Sequence, residues 1–314
     1  MSDNLRILPV IIGPTASGKT RLAALVAAET NAEILCADSR QVYRDMTVGT
    51  GKDYDDYIVD GQQIPYHLMD IVDAGEKFNL FKFYDAFQIA YTDIVTRGKN
   101  PIVCGGTGMY VESIIKNYNM HLVPEDAEFR KQCEAREFDD LVEELKTYKT
   151  LHNTTDIDSK KRLIRALEIA RYESLHEAEY QQQTCSYNPV TIGVSISREV
   201  RRERIAKRFR KRLDEGMTDE VELLLKKGVP AETLIYYGLE YKFLTLYVTG
   251  KISKSEMEEQ LLTAICQFSK RQMTWFRGME RRGITIHWID GELPMEERKL
   301  AVLQILQQFN FGGL

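Results

Sequence analysis

The 314-residue sequence contains no Cys-x-x-Cys pair. Its cysteines, Cys36, Cys104, Cys133, Cys185 and Cys266, are odd in number and widely spaced, so neither a zinc site nor a disulfide framework is indicated. They read as buried, reduced thiols of a cytosolic protein. No apolar run approaches the length that spans a bilayer. Met1-Ser2-Asp3-Asn4-Leu5-Arg6 lacks a signal-peptide layout and leads straight into an apolar strand pattern. There is no internal repeat and no low-complexity linker. Nor is there an excess of one charge: 42 Lys and Arg against 47 Asp and Glu give a net charge of -5. That excludes a surface that binds polyanions everywhere, so any polyanion site must be local. What remains is ordinary globular composition, 43% hydrophobic and 28% charged, long enough for one large domain or two modest ones.

Four apolar runs read as buried strands: Ile7 to Ile12, Glu33 to Ala37, Pro101 to Cys104 and Val190 to Ile196. Helical character from Lys19 to Glu29 separates the first two. Strands alternating with helices predict an α/β fold with a parallel sheet, whose ligands lie off the carboxyl ends of the strands. The first three runs end in glycine-rich or polar residues: Gly13, Asp38, and Gly105-Gly106-Thr107-Gly108. Residues 120–183 are charged and helical, and read as an insertion into a core made of 1–119 and 184–314. Arg198 to Lys227 reads as one long charged helix ending at Gly228. Ser253 to Arg282 reads as another, with Ser255 as N-cap and Glu258 completing a capping box. Ile284 to Ile289 reads as a late strand.

Gly13-Pro14-Thr15-Ala16-Ser17-Gly18-Lys19-Thr20 matches G-x-x-x-x-G-K-[ST] in full, between a strand and a helix. Its backbone N–H groups can curl round an anion, and the following helix presents its positive end to the same anion. Lys19 adds a point charge, and the Thr20 hydroxyl can ligate Mg²⁺. Such a loop reads phosphates and says little about what carries them. Asp38 could hold Mg²⁺ or take a proton from a nucleophile, or it could be a simple turn aspartate. Gly105 to Gly108 could line the same cleft or form a tight turn.

The order of further segments resembles the tRNA dimethylallyltransferase (isopentenyltransferase) family in its bacterial form. The stretches are Gly13 to Thr20, Asp38-Ser39 with Gln41 to Met46, Val48 to Lys52, His67 to Ile71, Gly105 to Tyr110, Lys161 to Glu168, Arg204 to Phe209 and Lys270 to Arg277. The resemblance implies a P-loop NTPase-like fold with a helical insertion. It implies a dimethylallyl diphosphate donor and, as acceptor, N6 of adenosine 37 in the tRNA anticodon loop. It carries a general base onto Asp38, donor contacts onto Gly13 through Thr20 with Thr15 also catalytic, and a diphosphate-binding arginine onto Arg208. tRNA contacts fall on Asp38, Ser39, Arg40, Gln41, Thr107, Arg130, Lys161, Arg162, Leu163, Ile164 and Arg165. Two departures stand out. Asp53 follows Gly51-Lys52 where proline is usual, and Gly238-Leu239-Glu240-Tyr241 stands where Gly-Tyr-Lys/Arg-Glu/Gln is usual.

Basic residues crowd Arg198 to Arg212 and Lys160 to Arg165. They fit an RNA acceptor, although a solvated helix face accounts for the first run equally simply. His67 reads as structural. Tyr236, Tyr237, Tyr241 and Tyr247 could stack on a base but read more simply as a patch in a helix–helix core. Trp275 and Phe276 read as core, and Met109 and Tyr110 as lining of a prenyl pocket. The expected protein is a cytoplasmic, monomeric, Mg²⁺-dependent transferase with no membrane segment. A P-loop small-molecule or nucleotide kinase is the main alternative.

Overall fold

Strands that are apolar on both faces need both faces covered. The computed structural model, which describes residues 5–118, 123–150, 157–176 and 187–313, provides that cover. The chain divides into two units, Met1–Tyr118 with Ser186–Leu314, and Asn119–Cys185.

The first unit begins with β1 (Arg6–Ile12), α1 (Lys19–Glu29), β2 (Ala32–Ala37), the short strands β3 (Ile58–Val59), β4 (Gln62–Gln63) and β5 (Tyr66–His67), α2 (Leu80–Thr96), β6 (Asn100–Gly105) and α3 (Gly108–Ile115). The second unit holds α4 (Ala127–Glu134), α5 (Phe138–Tyr148) and α6 (Lys160–Leu175). The first unit resumes with β7 (Tyr187–Ser195), α7 (Arg198–Asp214), α8 (Met217–Lys226), α9 (Ala231–Tyr237), α10 (Leu239–Val248), α11 (Lys254–Arg281), β8 (Ile286–Asp290) and α12 (Met295–Gln307).

Six strands pair in parallel in the order β5-β2-β6-β1-β7-β8. On one face, Ile11, Ile34, Ile102 and Ile192 pack with α1 and α12. On the other, α2 lies against β2 and β6 and buries Phe83 and Phe87 completely. The register aligns the ends of the central strands: Gly105, the last residue of β6, is opposite Ile12 on one side and Ala37 on the other. Three strands therefore end level.

The C-terminal helices correct two expectations. Arg198 to Lys227 is two helices, because Gly216 adopts φ 91° and starts α8 in a new direction. The capping box of α11 uses Ser253 and Glu256 rather than Ser255 and Glu258. Both pairs match the spacing, but Ser255 already lies inside the first turn.

In the second unit, Phe129, Cys133, Leu141, Leu145, Leu163 and Leu167 form the core. Asp126 and Ser159 cap α4 and α6. The buried Glu168 carboxylate receives Arg130, Arg165 and the Asp126 N–H. Burial alone would raise its pKa; the two arginines overcome that and lower it. Cys36, Cys104 and Cys133 are buried and reduced, Cys266 is only partly buried, and Cys185 lies outside the described residues. Among the described residues no helix is long and apolar enough to cross a membrane.

Candidate active site

The level strand ends bring three loops together. Gly13–Thr20 leaves β1, Asp38–Gln41 leaves β2, and Gly106–Thr107 leaves β6. They line a cleft of about 670 Å³ with parts of α7, α9, α10 and α11, a volume typical of a small-molecule site. Of the residues expected there, Thr15, Ala16, Gly18, Lys19, Thr20, Asp38, Ser39, Arg40, Gln41, Thr107 and Arg208 line it. Gly13, Pro14 and Ser17 are buried beneath the loop, and the Ser17 hydroxyl has no partner among the described residues, so they shape the cradle rather than face its contents.

The loops are tied to one another. Thr107 Oγ1 accepts from Ser39 N at 3.0 Å, and Asp38, which lines the cleft, accepts from Arg40 N through Oδ1 at 3.0 Å. Gln41 is internally engaged: its amide nitrogen donates to the Gly51 carbonyl at 3.0 Å, and its oxygen accepts from Cys36 Sγ at 3.1 Å. Gln272 of α11 clasps two loops at once. Its oxygen accepts from Thr15 N at 2.9 Å and its nitrogen donates to the Gly106 carbonyl at 2.9 Å. Thr15 therefore has its hydroxyl, not its N–H, available to a ligand.

The far wall carries charge that local sequence pattern does not reveal. Burial and the neighbouring Arg212 push the Arg208 guanidinium down to about 10. Burial raises the carboxyls of Glu240 and Asp56. The floor is the loop 47–53. Its N–H groups at Thr47, Val48 and Gly49 all point to the Glu220 carboxylate of α8, at 2.7, 2.7 and 3.0 Å, and Tyr241 Oη donates to the same group at 2.6 Å. Arg212, Glu220, Glu240 and Gln272 were not expected at the site. The available signals were that Arg212 ends the basic run from Arg198, that Gln272 lies within the motif-like stretch Lys270 to Arg277, and that Glu240 and Asp53 fall in the two departures from the family pattern.

Several expectations are corrected. Leu163 and Ile164 are buried in the core of the second unit, so their side chains are not available to RNA. Lys161 and Arg162 are exposed, whereas Arg130 and Arg165 are held by Glu168. Tyr236 is 81% exposed and lines the cleft, and Trp275 is 37% exposed beneath the Arg282 guanidinium; neither is core. Tyr237, Tyr241 and Phe276 are buried as expected. Met109 and Tyr110 do not line the cleft, and Tyr110 instead stacks on Phe83 at 3.8 Å. His67 bonds Glu33 at 2.7 Å, and Glu33 in turn holds Arg97, a structural arrangement.

The profile described as IPP transferase matches residues 41–279, and that of isopentenyl transferase matches residues 6–67. The chain belongs to the IPP transferase family. Among relatives in that family, tRNA dimethylallyltransferase 2 of Phocaeicola vulgatus is 54% identical over 96% of this chain and 98% of its own length. Among solved structures, the tRNA isopentenylpyrophosphate transferase of Bacillus halodurans is 28% identical, with a TM-score of 0.70 over 97% of this chain and 96% of that one. The tRNA delta(2)-isopentenylpyrophosphate transferase of Staphylococcus epidermidis is 30% identical, with a TM-score of 0.69 over 96% and 99%. The IPP transferase fold of this chain is thus the P-loop NTPase-like α/β arrangement expected from its sequence.

Proposed function

We propose that this chain transfers a dimethylallyl group from dimethylallyl diphosphate to N6 of adenosine 37 in the tRNA anticodon loop and releases diphosphate. The level alignment of three strand ends carries the reading, because it sets a phosphate loop and the Asp38 carboxylate on one cleft. Family membership supports it. The N6 nitrogen attacks the allylic carbon, the carbon–oxygen bond breaks, and its electron pair leaves on the diphosphate. The N6 proton goes to Asp38. Negative charge grows on the leaving group and meets Lys19, Arg208, the Thr15 hydroxyl and the N–H groups at the start of α1. An exocyclic amine is a weak nucleophile, so holding it close to the allylic carbon supplies much of the acceleration.

Mg²⁺ would be held through the hydroxyl of Thr20, a residue of the cleft lining. Among the described residues no three His, Cys, Asp or Glu side chains gather to hold an ion. Diphosphate oxygens and water would complete its shell, and the ion would offset leaving-group charge. The acceptor base leaves its stack to enter the cleft. Ser39, Arg40, Gln41 and Thr107 would meet it at the rim, and Tyr236 offers an open ring face for stacking. Lys161 and Arg162 of the second unit would hold the tRNA backbone, with Arg130 and Arg165 anchored beside them on Glu168. The enzyme would work as a cytoplasmic monomer.

The test is incubation with Mg²⁺, labelled dimethylallyl diphosphate and either unmodified tRNA, AMP or ATP. Label in tRNA is expected. Label only in AMP would redirect the reading to a free nucleotide, and ATP turnover alone would make the chain a kinase. Asp38→Ala should abolish transfer while donor binding persists; near-normal turnover would remove Asp38 from the mechanism.

A further inference from the structure

Arg208 and Arg212 lie one turn apart on α7, so their side chains leave the same face of the helix. Both guanidiniums lie over Gly51. A methyl group added there would stand 2.1 Å from Arg208 Nη2 and 2.2 Å from Arg212 Nη2, and Gly51 itself has φ +71°. A side chain there would displace the two guanidiniums and strain the backbone. Both cations share one carboxylate: Asp53 Oδ2 is 3.3 Å from Arg208 and 3.2 Å from Arg212.

A guanidinium has five N–H donors. Among the described residues Arg212 bonds only the two Asp53 oxygens, both from Nη2, at 3.2 Å. Arg208 adds one long contact, 3.4 Å, to the Gly51 carbonyl, and its buried Nε has no partner among the described residues. Glu240 and Asp56 also lie close enough to act on the pair, but burial raises both carboxyls, and Asp53 alone among the described residues is within salt-bridge distance of the two cations. Each has donors to spare, and their mutual repulsion favours an additional anion. Both arginines line the main cleft together with Thr15, Lys19 and Thr20 of the phosphate loop.

We propose that Arg212 is a second diphosphate-holding residue, and that Asp53 is a positioning residue that keeps both arginines in the cleft and yields them when the diphosphate arrives. The inference rests on the proposed allylic diphosphate donor. It gives the leaving group two guanidiniums, each able to bond its oxygens in a planar fork. It also makes Asp53 a competitor for the same donors, so that the carboxylate helps expel the product.

The experiment uses the full chain as wild type, Arg212→Met, Asp53→Asn and the double variant. Donor KM and tRNA KM are read from the transfer assay, and inorganic pyrophosphate affinity from calorimetry without tRNA. Arg212→Met should weaken donor and pyrophosphate by about tenfold, the loss of a charge-assisted contact, and leave tRNA KM alone. Asp53→Asn should tighten both, because a competing charge is gone. The double variant decides between ligand contact and simple charge balance. If Arg212 touches the diphosphate, the double variant stays weak; if it only neutralises Asp53, wild-type donor KM and pyrophosphate affinity return and the inference falls. Should Arg212→Met fail to fold around an orphaned carboxylate, the double variant lacks that carboxylate and gives the answer alone. Wild-type protein that moves no label into tRNA would sink the proposed function instead, and the calorimetric comparison would still decide the role of Arg212.

Discussion

Replacing Glu220 by Gln should loosen the cleft floor without touching the cleft itself. Glu220 Oε2 accepts from Thr47 N and Val48 N, both at 2.7 Å, and Oε1 accepts from Gly49 N at 3.0 Å and Tyr241 Oη at 2.6 Å. A carboxamide has one acceptor oxygen and one NH₂ group. In its best orientation it keeps the Thr47 and Val48 bonds without the charge and turns the NH₂ toward Gly49 N–H, donor against donor. The tyrosine hydroxyl can rotate and accept instead. The balance is one charge-assisted bond lost and two weakened, about 2–3 kcal/mol. With a urea slope of about 2–3 kcal/mol/M, the midpoint should fall by about 1 M at unchanged slope. Tyr241→Phe removes a single bond from the same carboxylate and should cost about 1 kcal/mol. Because the loop ends at Asp53, Glu220→Gln should also raise donor KM. A midpoint equal to that of wild type, or a loss no larger than that of Tyr241→Phe, would refute the claim that this carboxylate holds the loop.

Three further outcomes are expected. Lys161→Glu with Arg162→Glu reverses two exposed charges and should raise tRNA KM by about tenfold, flatten its salt dependence and spare donor KM; an unchanged tRNA KM across a salt series would count against RNA contact there. Tyr236→Ala should raise tRNA KM by about tenfold if its open face stacks on a base, and an unaltered KM would return Tyr236 to the ordinary surface. The Arg97 hydrogen bonds hold Glu33 down at about 2, against burial and with help from His67. A lowered carboxylate pKa stabilises the fold above its ordinary value of 4.5, and that contribution is lost as pH falls from 4.5 toward 2. Discounted for the partly exposed Arg97, it amounts to about 2 kcal/mol. The stability gap between wild type and Glu33→Gln should therefore close over that range in acid denaturation, and a constant gap would contradict the assignment.

The elements that sequence pattern reveals are those governed by neighbouring residues. The limits of α1 follow from the phosphate-loop glycine and an unbroken apolar helix, and the sheet follows from short apolar runs that end in polar residues. The break at Gly216 is hidden because the charged texture continues through Asp214, Glu215, Asp219 and Glu220. Leu163 and Ile164 fall within the expected RNA-contacting segment because a motif is contiguous, whereas a helix sends consecutive residues to different faces. Trp275 and Tyr236 suggest core by side-chain type, although aromatic rings also serve open surfaces. Arg212, Glu240 and Gln272 act at the site through tertiary proximity, which no local spacing encodes. Asp53 is visible only as a departure from a pattern, and its meaning depends on two arginines 155 and 159 positions further along.

The clasp made by Gln272 has a consequence for biosynthesis. The residue that closes the first-made loop is separated from Thr15 by 257 positions. A ribosome-bound chain halted short of α11 would carry a loop with the Thr15 N–H and the Gly106 carbonyl both lacking their protein partner. The cleft is thus among the last features to mature during translation, and fragments that end before this helix should be born without a finished one.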